Sequence, residues 1–298
     1  MKVIISGASG FVGTALTTAL RARADTVIHL VRRPPEDPAT EVQWRPADGV
    51  LDPDVVSGAD VVINLNGRNI SSGRWNDDVK AELRSSRLDS TGTLVSAIGR
   101  SDRPPRLLIS ASATGFYGDR GDDVLDENAA RGDGFLAELA ADWETAAERA
   151  RSDATRVALI RLGMVLGDDG GALDRMLLPF KLGLGGPIGN GRQRWPWIAM
   201  DDVVGAIQHV SDRDDIDGPV NLVAPEPVTS RDFARTLGDH LGRPAFLPAP
   251  TFAVKAALGE MAEALLLAST NVTPAVLEET GYRFKAPTLA EAFRLILD

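Results

Sequence analysis

Apolar and polar positions along the chain alternate between two periods. Lys2-Val3-Ile4-Ile5-Ser6 is a short apolar run, as expected of a strand buried on both faces, and it empties into Gly7-Ala8-Ser9-Gly10-Phe11-Val12-Gly13. From about Phe11 to Arg23 the apolar residues fall at helical spacing, and a second apolar run, Thr26 to Val31, follows. Further strand-like runs are Glu41–Trp44, Asp60–Leu65, Arg106–Ala111 and Thr155–Arg161, with helical stretches between them at about 76–99 and 134–151. The alternation predicts an α/β fold, a doubly wound parallel sheet of six strands with helices on both faces.

The turn after the first run is specific about what it holds. Gly7 tolerates the positive φ of a sharp strand-to-helix turn, Gly10 lets backbone lie against a bulky anion, and Gly13 lets the new helix pack closely. That helix points unpaired N–H groups and the positive end of its dipole at the same spot, which suits a pyrophosphate. Strand, glycine turn, helix and second strand together give the β-α-β context of a dinucleotide-binding Rossmann domain, with Gly7, Ser9, Gly10, Phe11, Val12 and Gly13 as the phosphate loop. An enzyme preferring NAD usually ends the second strand on Asp or Glu, whereas a 2′-phosphate needs positive charge. Here Val31 runs into Arg32 and Arg33, with no acid until Glu36, and planar guanidinium groups suit a phosphate. The expected cofactor is NADP(H). The fourth strand run ends Asn64-Leu65-Asn66-Gly67, again at a carboxyl edge, and Leu65, Asn66 and Gly67 are expected along the cofactor.

Composition narrows the class. The 298 residues, 44% hydrophobic and 25% charged, are ordinary for a globular protein. No apolar run approaches the eighteen or so residues that span a bilayer, and the first residues already read as a core strand, so neither membrane segment nor cleavable signal is expected. Cys is absent, which excludes disulfides and thiolate chemistry and fits a cytoplasmic location. A net charge of −10 argues against nucleic acid or an anionic membrane as partner. His29, His209 and His240 lie in separate predicted elements without a partner at ligand spacing, so no metal is expected.

At the fifth strand end stands Ser110-Ala111-Ser112-Ala113-Thr114-Gly115-Phe116-Tyr117-Gly118. With the G-x-x-G-x-x-G spacing, this resembles the extended short-chain dehydrogenase/reductase superfamily, whose best-known members are nucleotide-sugar epimerases and dehydratases. N-L-N-G, R-W-x-x-x-x-K, S-R-x-x-x-T, S-A-T-G-F-Y-G, G-L-G-G-P-I-G-N-G-R-Q and G-E-M-A are similar to an atypical branch, the "epimerase family", which carries its own C-terminal domain of unknown function. The resemblance covers essentially the whole chain. It implies that Glu82, Arg87 and Ser110 border the cofactor, that Val165 lies near the nicotinamide, and that homodimers form through the helices at about 76–99 and 134–151.

Superfamily chemistry uses a Ser that polarises a carbonyl and a Tyr-x-x-x-Lys pair that moves the proton. Ser112 matches the Ser, but the pair is missing. The chain has two tyrosines, Tyr117 and Tyr282, and four residues beyond them stand Gly121 and Ala286. Aligned through Trp143-Glu144, the expected positions fall near Leu136 and Ala140, in a helix without Lys. Losing a positioned acid/base typically costs about 10²–10⁴ in rate. Two accounts follow. In one, the protein is an oxidoreductase or epimerase-like enzyme acting on a small carbonyl or sugar-like compound, with Ser112 orienting the carbonyl and Tyr117 supplying the proton. In the other it binds NADP(H) without turnover, as a sensor or assembly factor.

After Arg161 the pattern changes, predicting an NADP(H)-binding domain over residues 1–163, to which part of 200–225 returns, and a smaller C-terminal α/β lobe over 164–298. Within it, Gly189 to Trp197 combines glycines, Arg192, Arg194, Trp195 and Trp197, a loop suited to clamping an anionic or flat substrate or to plugging the interior with its aromatics. Asp201-Asp202 reads as a helix N-cap. Leu289 to Leu297 shows helical spacing typical of core packing.

Overall fold

The computed structural model describes residues 1–168 and 170–298. Its main sheet has seven strands: β1 Lys2–Ser6, β2 Thr26–Val31, β3 Glu41–Gln43, β4 Val61–Asn64, β5 Leu107–Ala113, β6 Arg156–Leu162 and β7 Gly218–Leu222, in the order β7-β6-β5-β4-β1-β2-β3. Pairing is parallel from β3 through β2, β1 and β4 to β5. The six strand runs read from sequence are all present, and a seventh strand, β7, lies at the β6 edge of the sheet. Strand order reverses between β1 and β4, the switch point at whose carboxyl end open α/β sheets bind ligands.

Helices follow the strands on schedule: α1 Phe11–Ala22, α2 Asp77–Gly99 and α3 Phe135–Glu148. Asn76 caps α2, accepting from the Val79 N–H at 2.8 Å. The chain divides into two compact units, one of residues 1–112, 139–160 and 207–220, the other of 113–138, 161–206 and 221–298. In the first, Ile4, Val62, Leu108 and Leu159 from the sheet bury against Leu94, Ala97 and Ile98 of α2 and Ala147 of α3. The strands are covered by these apolar side chains, as expected of a parallel sheet packed by helices.

The helix α4 Met200–Asp212 is shared, its first seven residues in the second unit and the rest in the first, and the second unit also holds α5 Ser230–Leu241 and α6 Leu289–Leu297. Its core is aromatic: the Phe233 ring meets Trp195 edge-on at 5.6 Å and Phe293 at 5.4 Å. Thr288 and Glu291 form a capping box at the start of α6. Asp202 corrects the N-cap reading, because it sits inside the first turn of α4 and is fully buried. Its carboxylate accepts from the Tyr282 hydroxyl at 3.0 Å and from the Lys285 and Ala286 N–H groups at 2.7 and 3.0 Å, pinning the 282–286 segment. Burial, with this carboxylate beside it, pushes the Tyr282 phenol well above its usual range. No helix among the described residues is long and apolar enough to cross a membrane.

Candidate active site

The carboxyl edge of the sheet carries one level row, Leu30, Ser6, Asn64 and Ser110, paired in register across β2, β1, β4 and β5. The phosphate loop begins one residue beyond it. Gly7 takes φ +81°, and a Cβ there would lie 2.7 Å from the Leu65 carbonyl carbon, so the turn closes against the β4 end only with glycine. A Cβ on Gly13 would lie 2.2 Å from the Gly7 oxygen: the third glycine brings α1 onto the turn itself rather than onto the sheet. At Gly10 the same atom would meet only the Gly7 oxygen, at 3.2 Å, and otherwise face open space. Gly10 is also the N-cap of α1, with no side-chain cap and no acid in the first turn, so the helix presents bare N–H groups to solvent.

At the tip of β2 the two arginines divide their duties. Arg33 grips Glu41 with both terminal nitrogens, each at 2.8 Å, and lies near Glu36. That pairing pulls the Glu41 carboxyl down to about 2. Arg32 is exposed, and its guanidinium has no ion-pair partner among the described residues. Under the opposite lip, a Cβ on Gly67 would lie 3.1 Å from the Arg87 guanidinium carbon. Arg87 rests over the Trp143 ring at 5.0 Å and donates to the Leu83 carbonyl at 2.9 Å. Burial pulls it down to about 10. Glu82, five positions earlier on α2, pairs with Arg68 at the surface.

A neutral buried network fixes this edge. Asn64 accepts from the Ser6 hydroxyl at 3.0 Å and donates to Thr91 at 2.8 Å and to Ser110 at 3.4 Å, and the Trp143 indole donates to the same Thr91 oxygen at 2.9 Å. Beside Trp143 on α3, the Glu144 carboxylate accepts from the Ser112 hydroxyl at 2.6 Å, with both side chains over nine-tenths buried. Sequence reading passed over Asn64 and Glu144 as functional residues. Glu144 did leave a signal: it lies on the same helical stripe as the buried Ala137, Ala140 and Ala147, where a carboxylate has to be held for a reason.

Comparison with known proteins settles the lineage of this edge. A sequence profile of the NAD dependent epimerase/dehydratase family matches residues 3–222, and one for a domain of unknown function (DUF1731) matches residues 249–296. This chain belongs to the NAD dependent epimerase/dehydratase family. Epimerase family protein Mb2239 of Mycobacterium bovis is 43% identical over 290 residues, covering 97% of this chain and 95% of its own. The crystal structure of human epimerase family protein SDR39U1 (isoform 2) with NADPH superposes with a TM-score of 0.91 at 38% identity, over 99% of each chain. A nucleoside-diphosphate sugar epimerase from Corynebacterium glutamicum gives a TM-score of 0.80 at 36% identity, covering 98% of this chain and 57% of that one.

Within this epimerase/dehydratase family member, the expected site residues are divided between the two units. Gly7 to Gly13, Val31 to Arg33, Leu65 to Gly67, Arg87, Ser110 and Ser112 share the first unit. Tyr117 and Val165 belong to the second. Val165 lies half-buried in the Met164–Leu166 strand, in register with Ile198. Tyr117 is fully buried, and its hydroxyl is committed twice, donating to Asn221 Oδ1 at 2.7 Å and accepting from Arg161 at 2.9 Å. Burial pushes its phenol above the ordinary range. Phe116 lies under the same guanidinium at 3.7 Å, so Phe116-Tyr117 encloses the buried Arg161. Leu136 and Ala140 stand where the superfamily carries Tyr and Lys, Leu136 against Gly115 and Ala140 buried. The 189–197 loop turns its indoles inward, with Trp195 Nε1 on the Leu266 carbonyl at 3.2 Å and Trp197 Nε1 on that of Glu226 at 3.0 Å. They pack the core and do not clamp a ligand. Arg192 remains exposed and Arg194 pairs with Asp122. Among the described residues, no cluster of His, Cys, Asp or Glu has the makings of a metal site.

Proposed function

We propose that this protein binds NADP(H) and acts as an oxidoreductase or epimerase-like enzyme on a small carbonyl or sugar-like compound. The observation that carries the reading is the glycine cradle with the bare α1 N-terminus and the uncommitted Arg32 at the neighbouring strand tip. Ser9, Gly10, Phe11 and Val12 would hold the diphosphate, Val31 and Arg32 the adenosine side with its 2′-phosphate, and Arg33 would brace the loop through Glu41. Leu65, Asn66 and Gly67, over Arg87, and Ser110 would line the remainder, with Glu82 at the outer rim. The bound nicotinamide would supply or accept a hydride. Ser112, the match to the superfamily serine, would hold the substrate oxygen. The NADPH bound by human SDR39U1 and the sugar epimerase from Corynebacterium glutamicum support the cofactor and the substrate class.

The test is a fluorescence titration with NADPH and NADH. Losing a hydrogen bond to a charged group costs about 1.5–3 kcal/mol, so Arg32→Ala should weaken NADPH by about 10–100-fold while NADH changes less than twofold. Unchanged NADPH affinity would overturn the NADP(H) assignment. A panel of dicarbonyls, 2-keto acids and UDP-glucose, followed by nicotinamide absorbance, tests turnover; tight NADPH binding with no turnover would favour the sensor account.

A further inference from the structure

We infer that Ser112 and Glu144 form a proton relay that replaces the missing Tyr-x-x-x-Lys pair. This rests on the enzymatic reading above. The chain lacks the usual acid/base pair, and the Tyr117 hydroxyl is held on both sides by Asn221 and Arg161. What stands at the carboxyl end of β5 instead is a serine hydroxyl 2.6 Å from a buried carboxylate. That separation is in the range of a charge-assisted O–H···O⁻ bond. The carboxylate is rigidly placed: Trp143, its neighbour on α3, is anchored by Thr91 and lies beneath Arg87. Ser112 is two residues beyond Ser110 and so on the same face of the strand, the face on which Asn64 reaches Ser110.

In the direction of alcohol oxidation the proton on the substrate hydroxyl passes to Ser112 Oγ as the Ser112 proton passes to Glu144 Oε1. The C–H bonding pair departs with its hydrogen to the nicotinamide of NADP⁺. The alcohol carbon is oxidised by two electrons to a carbonyl, the nicotinamide is reduced, and Glu144 ends protonated. Carbonyl reduction runs the same transfers backwards, starting from protonated Glu144. Ser112 is the catalytic residue and Glu144 acts through it, so that the phenol's usual task is shared between a hydroxyl that touches substrate and a carboxylate that stores the proton.

The experiment uses the full chain and its Ser112→Ala, Glu144→Gln and Glu144→Ala variants. NADPH titration should give dissociation constants within twofold of wild type, which also reports that each variant is folded. On the panel compound that wild type turns over, Glu144→Gln should lower kcat by about 10²–10⁴-fold with KM changed less than threefold. Added formate should restore Glu144→Ala at least tenfold. Independently of turnover, infrared spectra of cofactor-free protein labelled with ¹³C-glutamate should show one carboxylate band that disappears in Glu144→Gln and shifts in Ser112→Ala. An unmoved band in Ser112→Ala, or Glu144→Gln turnover within threefold of wild type, overturns the relay and leaves NADP(H) binding standing. Wild type that binds NADPH yet turns over nothing on the panel overturns the relay and the enzymatic reading together. Failure of wild type to bind NADPH overturns the cofactor assignment itself.

Discussion

Tyr117→Phe separates a packing role from a chemical one. The phenol is fully buried, and removing its oxygen takes away the donor to Asn221 Oδ1 and an acceptor from Arg161. Arg161 keeps the Glu127 carbonyl at 3.2 Å, and Asn221 keeps its bond from Nδ2 to the Thr273 carbonyl. The Asn221 oxygen, however, is left in a dry site without a donor. An orphaned buried acceptor costs about 1–3 kcal/mol, and the lost bond from a guanidinium adds to this, so we expect about 2–3 kcal/mol of destabilisation. At about 2–4 °C per kcal/mol for a chain of this class, the melting temperature should fall by about 4–12 °C. NADPH affinity should stay within twofold, since none of the affected partners belongs to the glycine cradle. A double-mutant cycle with Asn221→Ala should show coupling of about 0.5–3 kcal/mol, as contacting buried partners do. Calorimetric melting and a nicotinamide-absorbance assay suffice. Unchanged melting with a loss of turnover of about 10²-fold or more, the mark of a removed acid/base, would refute the structural assignment of Tyr117.

Two glycines of the phosphate loop should respond differently. Gly13→Ala places a carbon 2.2 Å from the Gly7 oxygen, so both stability, by about 1–3 kcal/mol, and NADPH binding should suffer. Gly10→Ala meets only one atom, at 3.2 Å, so binding should fall while the melting temperature holds; equal melting losses in the two variants would contradict this. The Glu41 carboxyl, drawn to about 2 chiefly by its hydrogen bonds from Arg33 and also by the Glu36 N–H, should titrate near that value by ¹³C NMR and rise toward the ordinary carboxylate range in Arg33→Ala. The sign follows from a depressed folded value: the Arg33–Glu41 tie supports the 33–41 loop above the ordinary carboxylate range and is lost as pH falls through about 2. A Glu41 midpoint unmoved by Arg33→Ala would disprove the cause.

What the sequence disclosed depended on how local the determinant was. The β1-α1-β2 unit is encoded in adjacent residues, and α1 begins at Phe11 as read. The sheet's strand runs were legible because buried parallel strands are continuous apolar segments. The second unit yielded less. Trp195 and Trp197 occur in a loop rich in glycine and arginine, and only contact with Phe233 and with the carbonyls of Leu266 and Glu226 shows that their indoles belong to the core. Asp202 looked like a helix cap because its partners, Tyr282 to Ala286, lie some eighty residues on. Tyr117 looked like a catalytic phenol for the same reason: Asn221 is 104 positions away. Polar groups satisfied across long separations are invisible to local pattern, whereas the buried position of Glu144 was written in its helical stripe.

The carboxyl edge joins two kinds of polar group with different physical tasks. Its interior, Ser6, Asn64, Thr91, Ser110 and the Trp143 indole, is wholly neutral, so the strands are tied together without the desolvation cost of buried charge. Charge appears only at the margin of that network. Arg87 is largely buried beneath Gly67 with a carbonyl and an aromatic face for company, and no carboxylate pairs with it among the described residues. A guanidinium in that position is costly in the free protein, and the proposed role of Arg87 at the cofactor would supply the acceptors it lacks. Glu144, next to Trp143 on α3, has its carboxylate engaged by the Ser112 hydroxyl at 2.6 Å. Neutral scaffold, guanidinium and carboxylate are therefore set around one indole, and under the relay proposed above α3 lacks the usual Tyr and Lys but keeps a means to move a proton at the β5 end.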